Sequence, residues 1–305
     1  MQRPRLRLIV NPVASSVGER TVRAALRALE PHCDVELLET QRRGHAIELA
    51  AEAVASGFDG IGVMGGDGTA NEVLNGAGAD LPIGVLPGGG TNVLSRALGL
   101  SREIGPAAGQ VGEALAQGRE RNINLGTVNG RRFAFASGVG ADAQAVRLVD
   151  AAGRPKGRRP GDVYFAAQIM RTLLRGEYRE PQLDVSTGDQ FLARGVSIFV
   201  ANVHPWSYVG PFPLKLAPLA TFEGGLDVVV PSDMRRRHLP RYATQLLLTG
   251  SQAHRPDRLL AYLHDVEDVR VVCGRPLPVH ADGDDLGDVE EIVYGVAHDA
   301  ARILV

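Results

Sequence analysis

The feature that most constrains the fold of this chain is a pair of glycine clusters, each placed directly after an apolar run. The run at residues 60–64 is followed by Gly65-Gly66-Asp67-Gly68-Thr69, and the run at 83–86 by Pro87-Gly88-Gly89-Gly90-Thr91. Short apolar runs that are stopped by glycine are typical of buried strands in a parallel sheet. Loops at the carboxyl ends of neighbouring parallel strands converge on one crevice. The sequence therefore predicts two glycine-rich loops that face one ligand, and Asn11-Pro12, which also ends a strand-like run, can join the same edge.

About the first 120 residues alternate between strand-like and helix-like segments. The runs at 6–10 and 35–38 are strand-like, whereas apolar residues recur at helical spacing in 18–29 and 46–55. Strands that alternate with helices imply right-handed crossovers and a parallel sheet. We therefore predict an open α/β domain in this part of the chain.

The pattern changes after Gly118 and becomes strand-rich. Asn129-Gly130 suits a tight hairpin turn with positive φ, and strand-like residues 122–128 and 132–137 flank it. Further strand-like runs occur at 183–186, 195–203, 226–230, 269–273 and 291–296, helical interruptions fall near 164–174 and 239–249, and residues 154–161 form a basic, breaker-rich loop. We predict that this half is an antiparallel β-sandwich.

Charge and composition exclude several classes of function. The chain has 33 Lys+Arg against 35 Asp+Glu, a net charge of -2, so it lacks the electrostatic attraction on which most nucleic-acid binders rely. No segment approaches the roughly 18 consecutive apolar residues that span a bilayer. Cys33 and Cys273 lie too far apart in the sequence to form a metal or redox motif. We expect a soluble, cytoplasmic protein without nucleic-acid partners that can still touch a membrane surface.

The aspartate inside the first glycine cluster indicates phosphate chemistry with a metal. Glycines let the backbone approach an anion, and the N-terminus of the following helix offers N–H groups to it. Asp67 would repel a phosphate unless Mg²⁺ lies between them, as in phosphoryl transfer. A plain strand–turn–helix corner, the alternative, would need fewer glycines and no aspartate at this position.

These motifs occur together in a known family. The run Gly66-Asp67-Gly68-Thr69-Ala70-Asn71-Glu72-Val73-Leu74-Asn75-Gly76 resembles the diacylglycerol kinase catalytic domain, whose family includes bacterial lipid kinases and eukaryotic diacylglycerol, ceramide and sphingosine kinases. The resemblance extends over nearly the whole chain. Its other segments are Asn11-Pro12, Thr40 with Gly44-His45-Ala46, residues 87–96, Gly138-Val139-Gly140-Ala141-Asp142-Ala143, Asn202 with Tyr208, Pro218 with Gly224-Gly225-Leu226-Asp227, and Asp282-Gly283-Asp284.

The resemblance implies the domain organisation and the activity. It implies an ATP-binding α/β domain made of residues 1–121 and 297–305, a lipid-binding β-sandwich of residues 122–296, and ATP in the cleft between them. Residues 300–305 would be the last strand, which returns to the first domain. The implied activity is an ATP- and Mg²⁺-dependent kinase of lipid metabolism and phospholipid biosynthesis. Its acceptor would be a hydroxyl of a diacylglycerol-like or long-chain lipid at the inner membrane surface. The resemblance leaves open whether the protein forms a homodimer.

The resemblance also assigns residues to roles. Gly66, Asp67, Gly68 and Thr69 would bind the phosphates and metal, Asn11 and Thr40 would line the nucleoside, and the rest of the nucleotide set is Gly65, Asn71, Glu72, Gly89, Gly90, Thr91 and Asn92. Asp284 stands where bacterial members have a general-base Glu, so it would take the proton from the lipid hydroxyl. A solvated hairpin turn at residues 282–285 is the alternative.

The chain departs from the family at several positions. Val93 and Asn124 stand where many bacterial members have Asp, so two members of the metal network are neutral here. Glu223 and Asp227 resemble a structural-metal loop, with Glu223 where Asp is usual. Asp67, Glu223 and Asp227 are therefore the predicted metal ligands. These departures leave the metal geometry and the level of activity open.

Other side chains have ordinary interpretations. His45 opens a helix and is expected to cap it or face solvent, and His280 lies in a strand and is expected to be structural. The aromatic loop at residues 204–213 either edges a lipid pocket or packs as an ordinary loop. Residues 239–248 are apolar around much of a helix, which leaves core packing, lipid contact and membrane docking open.

Two rival functions remain. NAD kinases and phosphofructokinases use similar glycine loops on soluble substrates, but Asn71-Glu72 and Asp282-Gly283-Asp284 favour a lipid kinase. Val93 and Asn124 leave room for a nucleotide-binding regulator without catalysis.

Overall fold

The computed structural model describes residues 3–151, 168, 171–172, 178, 180–251 and 257–305. The chain divides into two compact units, one of Met1–Asn124 with His298–Val305 and one of Leu125–Ala297. The divisions expected from the sequence lie after residues 121 and 296. The basic loop expected at 154–161 and most of the helix expected at 164–174 lie outside the described residues.

The first unit is an open α/β structure. Its elements are β1 (Arg5–Val10), α1 (Glu19–Leu29), β2 (Asp34–Glu39), α2 (His45–Ala55), β3 (Gly60–Gly65), α3 (Asp67–Ala77), β4 (Pro82–Pro87), α4 (Val93–Ala97) and α5 (Ile104–Gln117). Strand β1 pairs in parallel with β2 and β3, and β3 pairs in parallel with β4, so the strand order is β2-β1-β3-β4. This confirms the predicted parallel sheet.

Burial explains why these strands read as unbroken apolar runs. Every residue of β3 and β4 is buried, so neither strand shows the alternation of a half-exposed strand. The helices cover the sheet in two packed pairs, α1 with α5 and α2 with α3. Gly84 of β4 lets α5 approach closely, because a Cβ there would lie 2.2 Å from the Val111 side chain. The central strands are therefore shielded from water.

The second unit is antiparallel. Its elements are β5 (Glu120–Val128), β6 (Arg131–Phe133), β7 (Ala136–Val139), α6 (Ala141–Ala151), β8 (Leu183–Thr187), β9 (Gln190–Gly195), β10 (Ile198–Ala201), β11 (Ser207–Val209), β12 (Phe212–Leu214), β13 (Leu226–Pro231), α7 (Leu239–Thr244), β14 (Leu260–Val266), β15 (Asp268–Ala281) and β16 (Asp284–Leu304). Antiparallel pairing joins β5/β6, β8/β9, β7/β10, β10/β13, β11/β12, β13/β14, β7/β15, β8/β15 and β15/β16.

The end of β16 belongs to the first unit. Arg302 and Ile303 pair in parallel with Pro82 and Ile83 of β4. This confirms that the last strand returns to the α/β unit.

Several elements of the second unit differ from the predicted ones. The hairpin turn is confirmed, with φ of 47° at Asn129 and 82° at Gly130. The strand predicted at 132–137 is instead two strands, β6 and β7, because the N–H groups of residues 134–136 donate to a buried carboxylate rather than to a neighbouring strand. The runs at 269–273 and 291–296 are parts of the much longer β15 and β16. The predicted helix at 239–249 is α7 followed by a π-helical turn, Gln245–Thr249.

Candidate active site

Three loops of the first unit converge at the carboxyl ends of its strands. The N–H of Gly88 donates to the Gly65 carbonyl at 2.8 Å, so the two glycine clusters touch. Ser16, in the loop after β1, donates its N–H to the Gly88 carbonyl at 2.9 Å. The convergence expected from a parallel sheet is therefore confirmed.

Close packing between the loops explains several of their glycines. A Cβ on Gly88 would lie 2.8 Å from the Gly65 nitrogen, and a Cβ on Gly89 would lie 2.7 Å from the Gly66 Cα. Neither distance is tolerated, because backbone atoms cannot move aside as a flexible side chain can. A Cβ on Gly90 would meet nothing within 4 Å. Gly88 and Gly89 are thus required by the fold, whereas Gly90 faces open space.

Asp67 lies at the start of α3, beside the facing loop. Its Oδ1 accepts the N–H of Leu94 at 3.1 Å, and it is the one carboxylate in the sequence of the three loops at 11–18, 65–69 and 87–92. Thr69 is buried, and its Oγ1 accepts a hydrogen bond from the Asn11 side-chain amide at 2.9 Å. Asn11 therefore joins the end of β1 to the first turn of α3, where helix N–H groups favour an anion.

Some side chains expected to contact the nucleotide instead hold the loops in shape. Asn92 accepts the Gly89 N–H at 2.7 Å and donates to the Gly89 carbonyl at 2.8 Å, which closes the second glycine loop. Glu72 accepts the N–H groups of Gly44 and Ala46 at 2.8 and 3.2 Å, so its carboxylate caps α2. Asn71 is buried inside α3. These contacts give Asn92 and Glu72 a structural role, and their direct contact with the nucleotide stays a prediction.

The other predicted nucleotide residues lie around the same edge. Thr40 follows β2, is half-buried, and donates its N–H to the Val10 carbonyl at 2.8 Å. Thr91 is half-buried and Gly90 is exposed. His45 accepts the Gln41 N–H on Nδ1 at 3.1 Å, which agrees with a role in starting α2.

Val93 and Asn124 serve the packing of the first unit. Val93 is buried at the start of α4. The side-chain oxygen of Asn124 accepts the N–H of Asp299 at 2.9 Å. These two positions therefore supply no carboxylate, and Asp67 is the acidic group that the loops provide.

In the second unit, a tight turn joins β15 to β16. Asp282 and Gly283 have φ of 48° and 80°, and Ala281 pairs with Asp284 across the turn. Asp282 is buried and accepts three backbone N–H groups, from Ala134 at 2.6 Å and from Phe135 and Ala136 at 3.0 and 3.1 Å. This anchoring role was not predicted from the sequence, although an Asp before Gly at a strand end is a recognisable turn signal.

Asp284 is held in this anchored turn. It is only 8% exposed, and its Oδ2 accepts a hydrogen bond from Arg131 Nη2 at 3.2 Å. Its neighbour Asp285 accepts two hydrogen bonds from Arg147, at 2.9 and 3.0 Å. This pair, with a contribution from Asp288, raises the pKa of Arg147 further above its usual value. The hairpin turn considered as an alternative is present, but Asp282 and Asp284 are buried in it rather than solvated.

A buried acid–histidine pair lies near the same strands. His280 Nε2 and Asp142 Oδ2 are 2.8 Å apart, and both side chains are almost fully buried. Gly138 makes room for this pair, since a Cβ there would lie 2.2 Å from Asp142 Oδ2. Burial also raises the pKa of the adjacent Tyr294, whose hydroxyl lies 3.2 Å from Ser137 Oγ. These contacts fit the structural role expected for His280.

At the expected structural-metal loop, the carboxylate of Asp227 has three protein partners. Asp227 is buried, and Tyr262 donates its hydroxyl to Oδ2. His264 Nδ1 and the Asp265 N–H contact Oδ1 at 2.7 and 3.1 Å. Burial and the bond to Asp227 raise the pKa of Tyr262. Within the described part of the chain, no group of three or more His, Cys, Asp or Glu side chains could hold a metal ion. The assignment of Glu223 and Asp227 as metal ligands stays a prediction.

None of the helices in the described ranges has the length and apolar character needed to cross a membrane.

Comparisons with known proteins cover nearly the whole chain. The model of the diacylglycerol kinase catalytic domain matches residues 5–128, and that of the YegS C-terminal NAD kinase beta sandwich-like domain matches residues 136–304. A diacylglycerol kinase from Bacillus subtilis is 37% identical over 143 residues, which are 45% of this chain and 46% of that protein. One from Staphylococcus saprophyticus is 32% identical over 137 residues, 43% of each chain. The matches thus span less than half the length of these curated relatives.

The fold also matches a solved structure. The crystal structure of a diacylglycerol kinase from Bacillus anthracis superposes with a TM-score of 0.72 at 18% identity, covering 100% of this chain and 97% of that one. At this identity the likeness concerns the fold. It agrees with the α/β unit and the β-sandwich described above.

Proposed function

Because the chain belongs to the diacylglycerol kinase family of lipid kinases, we propose that it transfers the γ-phosphate of ATP to a hydroxyl of a diacylglycerol-like or long-chain lipid. The observation that carries this proposal is the pair of touching glycine loops, with Asp67 at the first turn of α3. An anion-binding helix start with a single carboxylate suits a nucleotide that arrives with its metal.

The phosphates are proposed to bind where α3 begins. Gly66 N-caps this helix, and the first intrahelical bonds run from Thr69 and Ala70 to its carbonyl. N–H groups at such a terminus point away from the helix and interact with negative charge. Gly90, where a Cβ would meet nothing within 4 Å, leaves room for a ligand in the second glycine loop.

The three loops offer Mg²⁺ one protein carboxylate, that of Asp67. Mg²⁺ in kinases is held by one or two carboxylates, by water and by the phosphates themselves. Asp67 is the residue that would hold it, and the bound ion would neutralise charge on the transferring group. No second protein carboxylate is required for this mode of binding.

Asp284 is proposed as the general base. A base must be fixed in position so that it meets the proton of the attacking hydroxyl. The buried turn fixes Asp284, because Asp282 anchors the turn and Arg147 clamps Asp285. Arg131 keeps a positive charge beside the carboxylate.

Phosphate transfer from γ-labelled ATP, measured with and without lipid vesicles, tests the function. A lipid kinase requires the vesicles, a kinase of the NAD kinase type phosphorylates a soluble acceptor instead, and a non-catalytic regulator binds ATP without transfer. The neutral positions Val93 and Asn124 favour this last alternative.

Asp67→Asn provides the matched test of the nucleotide site. We expect it to lower turnover by about two orders of magnitude or more, since charge stabilisation of the phosphoryl group is lost. Asp80→Asn removes the same charge from an exposed residue shortly after α3 and should leave turnover unchanged. Equal turnover in both variants would remove Asp67 from the site.

A further inference from the structure

An exposed apolar patch lies on the second unit. It consists of Phe212, Leu219, Leu247 and Leu248, whose exposed fractions are 65%, 39%, 46% and 69%. Large apolar side chains exposed together are uncommon on a protein that contacts only water. We call these four residues the apolar patch.

Backbone contacts hold the members of the patch together. Strand β12, which begins with Phe212, packs against the π-helical turn that carries Leu247 and Leu248. Lys215 donates its backbone N–H to the Leu246 carbonyl at 2.7 Å and its ammonium group to the Leu248 carbonyl at 3.2 Å. Pro218, next to Leu219, lies against Gly250. The patch is therefore one surface rather than scattered residues.

The helix that leads to the patch is fixed by its inner face. Leu239 and Tyr242 pack against the core of the second unit. The Tyr242 hydroxyl donates to the Asp233 carbonyl at 2.7 Å, and burial raises its pKa, so it stays a donor. Since this face is held inward, the side chains at Leu247 and Leu248 stay outward.

Positive charge flanks the apolar patch. Residues 231–250 contain four arginines, Arg235, Arg236, Arg237 and Arg241, against one carboxylate, Asp233. All four arginines are exposed. The guanidinium groups of Arg235 and Arg237 lie 3.8 and 3.7 Å from the Asp233 carboxylate, and Arg241 pairs with Asp257. With Asp233 and Asp257 counted against the four arginines, this surface keeps a positive excess of two charges.

We propose that the apolar patch and its arginines dock the protein on a bilayer that contains anionic lipids. Exposed leucine and phenylalanine enter the interface between headgroups and acyl chains, while arginines meet the lipid phosphates. A second copy of the chain is a poorer occupant, because a two-fold contact would bring the same arginines against each other. The role of docking in catalysis rests on the proposed function, because a lipid acceptor resides in a membrane. The binding of the patch and its arginines to anionic lipid does not depend on that function.

The test measures binding of the full chain to vesicles without nucleotide. Phosphatidylcholine vesicles are compared with vesicles of phosphatidylcholine and phosphatidylglycerol. The variant Leu247→Ser/Leu248→Ser probes the patch, and Arg236→Glu/Arg237→Glu probes the charge. Val272→Ser/Val293→Ser is the matched control, because these valines are 45% and 51% exposed on β15 and β16, outside the patch.

We expect the leucine variant to bind the anionic vesicles about tenfold more weakly or worse, and the valine control to bind as the parent does. The arginine variant should lose the preference for anionic vesicles, and salt should weaken binding of the parent. Equal binding by the leucine variant and the parent would overturn the proposal. So would dimers of the parent, seen by sedimentation, that the leucine variant abolishes while vesicle binding persists.

A kinase assay separates this proposal from the proposed function. With a short-chain diacylglycerol below its aggregation limit, the leucine variant should keep parental turnover, whereas with vesicles its turnover should fall. Absence of transfer by the parent with both acceptors would refute the kinase and leave the vesicle measurements to decide on docking.

Discussion

Replacing Asp282 with Asn removes the anchor of the β15–β16 turn without changing its size. Asn adopts positive φ readily, so the backbone conformation at 48° is not what the substitution disturbs. Asn has one acceptor oxygen where Asp has two, so at least one of the three N–H donors at 2.6, 3.0 and 3.1 Å faces an NH₂ group. Hydrogen bonds to a charged group contribute roughly 1.5–3 kcal/mol each. Since the remaining bonds also weaken, we expect a loss of about 3 kcal/mol.

Thermal unfolding measures this loss. For a unit of the size of Leu125–Ala297, about 3 kcal/mol lowers Tm by roughly 6–12 °C in the transition that unfolds it. Asp189→Asn is the control, because Asp189 is an exposed aspartate in the turn between β8 and β9. It should change stability by less than about 0.5 kcal/mol.

Kinetics of the same variant test whether the anchor positions Asp284. At a temperature where Asp282→Asn is fully folded, we expect turnover to fall while the KM for ATP stays constant. A Tm for Asp282→Asn equal to that of the Asp189→Asn control would refute the anchoring argument. A lowered Tm with unchanged turnover would limit Asp282 to a role in stability.

Three further predictions follow from the site and from the buried thiols. Gly89→Ala should lower Tm, because its Cβ would meet backbone at 2.7 Å, whereas Gly90→Ala should keep Tm and weaken ATP binding by calorimetry; unchanged ATP affinity would remove Gly90 from the site. Asp284→Asn should lower turnover by about two to four orders of magnitude with little effect on ATP affinity, and retained activity would place the base elsewhere. Burial raises the pKa of Cys33 and of Cys273 from 9.0 to about 11, so neither thiol should react with a thiol reagent near about pH 8 until the chain unfolds. Chemical denaturation should show stability falling as the pH rises from about 9 to about 11, where the unfolded thiols release protons that the folded ones keep; a flat profile would contradict this.

Local pattern was enough to predict most of the first unit. Buried parallel strands and amphipathic helices leave periods that are readable within about ten residues, so β1 to β4 and the helices α1 and α2 appear in the sequence, whereas α5 was not predicted. The convergence of the loops followed from topology alone, because the carboxyl ends of parallel strands share one edge. In the second unit, Asn129-Gly130 identified its hairpin because positive φ restricts the choice of residue. The resemblance to a family added the assignments of roles.

Contacts between distant segments decided the rest. The sequence by itself determined where strands end, which loops are glycine-rich and where Asp67 and Asp284 stand. It could not show that Glu72 caps α2, since its partner Gly44 is 28 residues away. It could not show that the N–H groups of residues 134–136 donate to Asp282 rather than to a neighbouring strand, because Asp282 lies 146–148 residues further along the chain. Nor could it separate Gly89, which backbone packing requires, from Gly90, which lies beside open space. The role of a polar atom or a glycine depends on its spatial neighbours, and the tertiary structure determines which distant segments supply those neighbours.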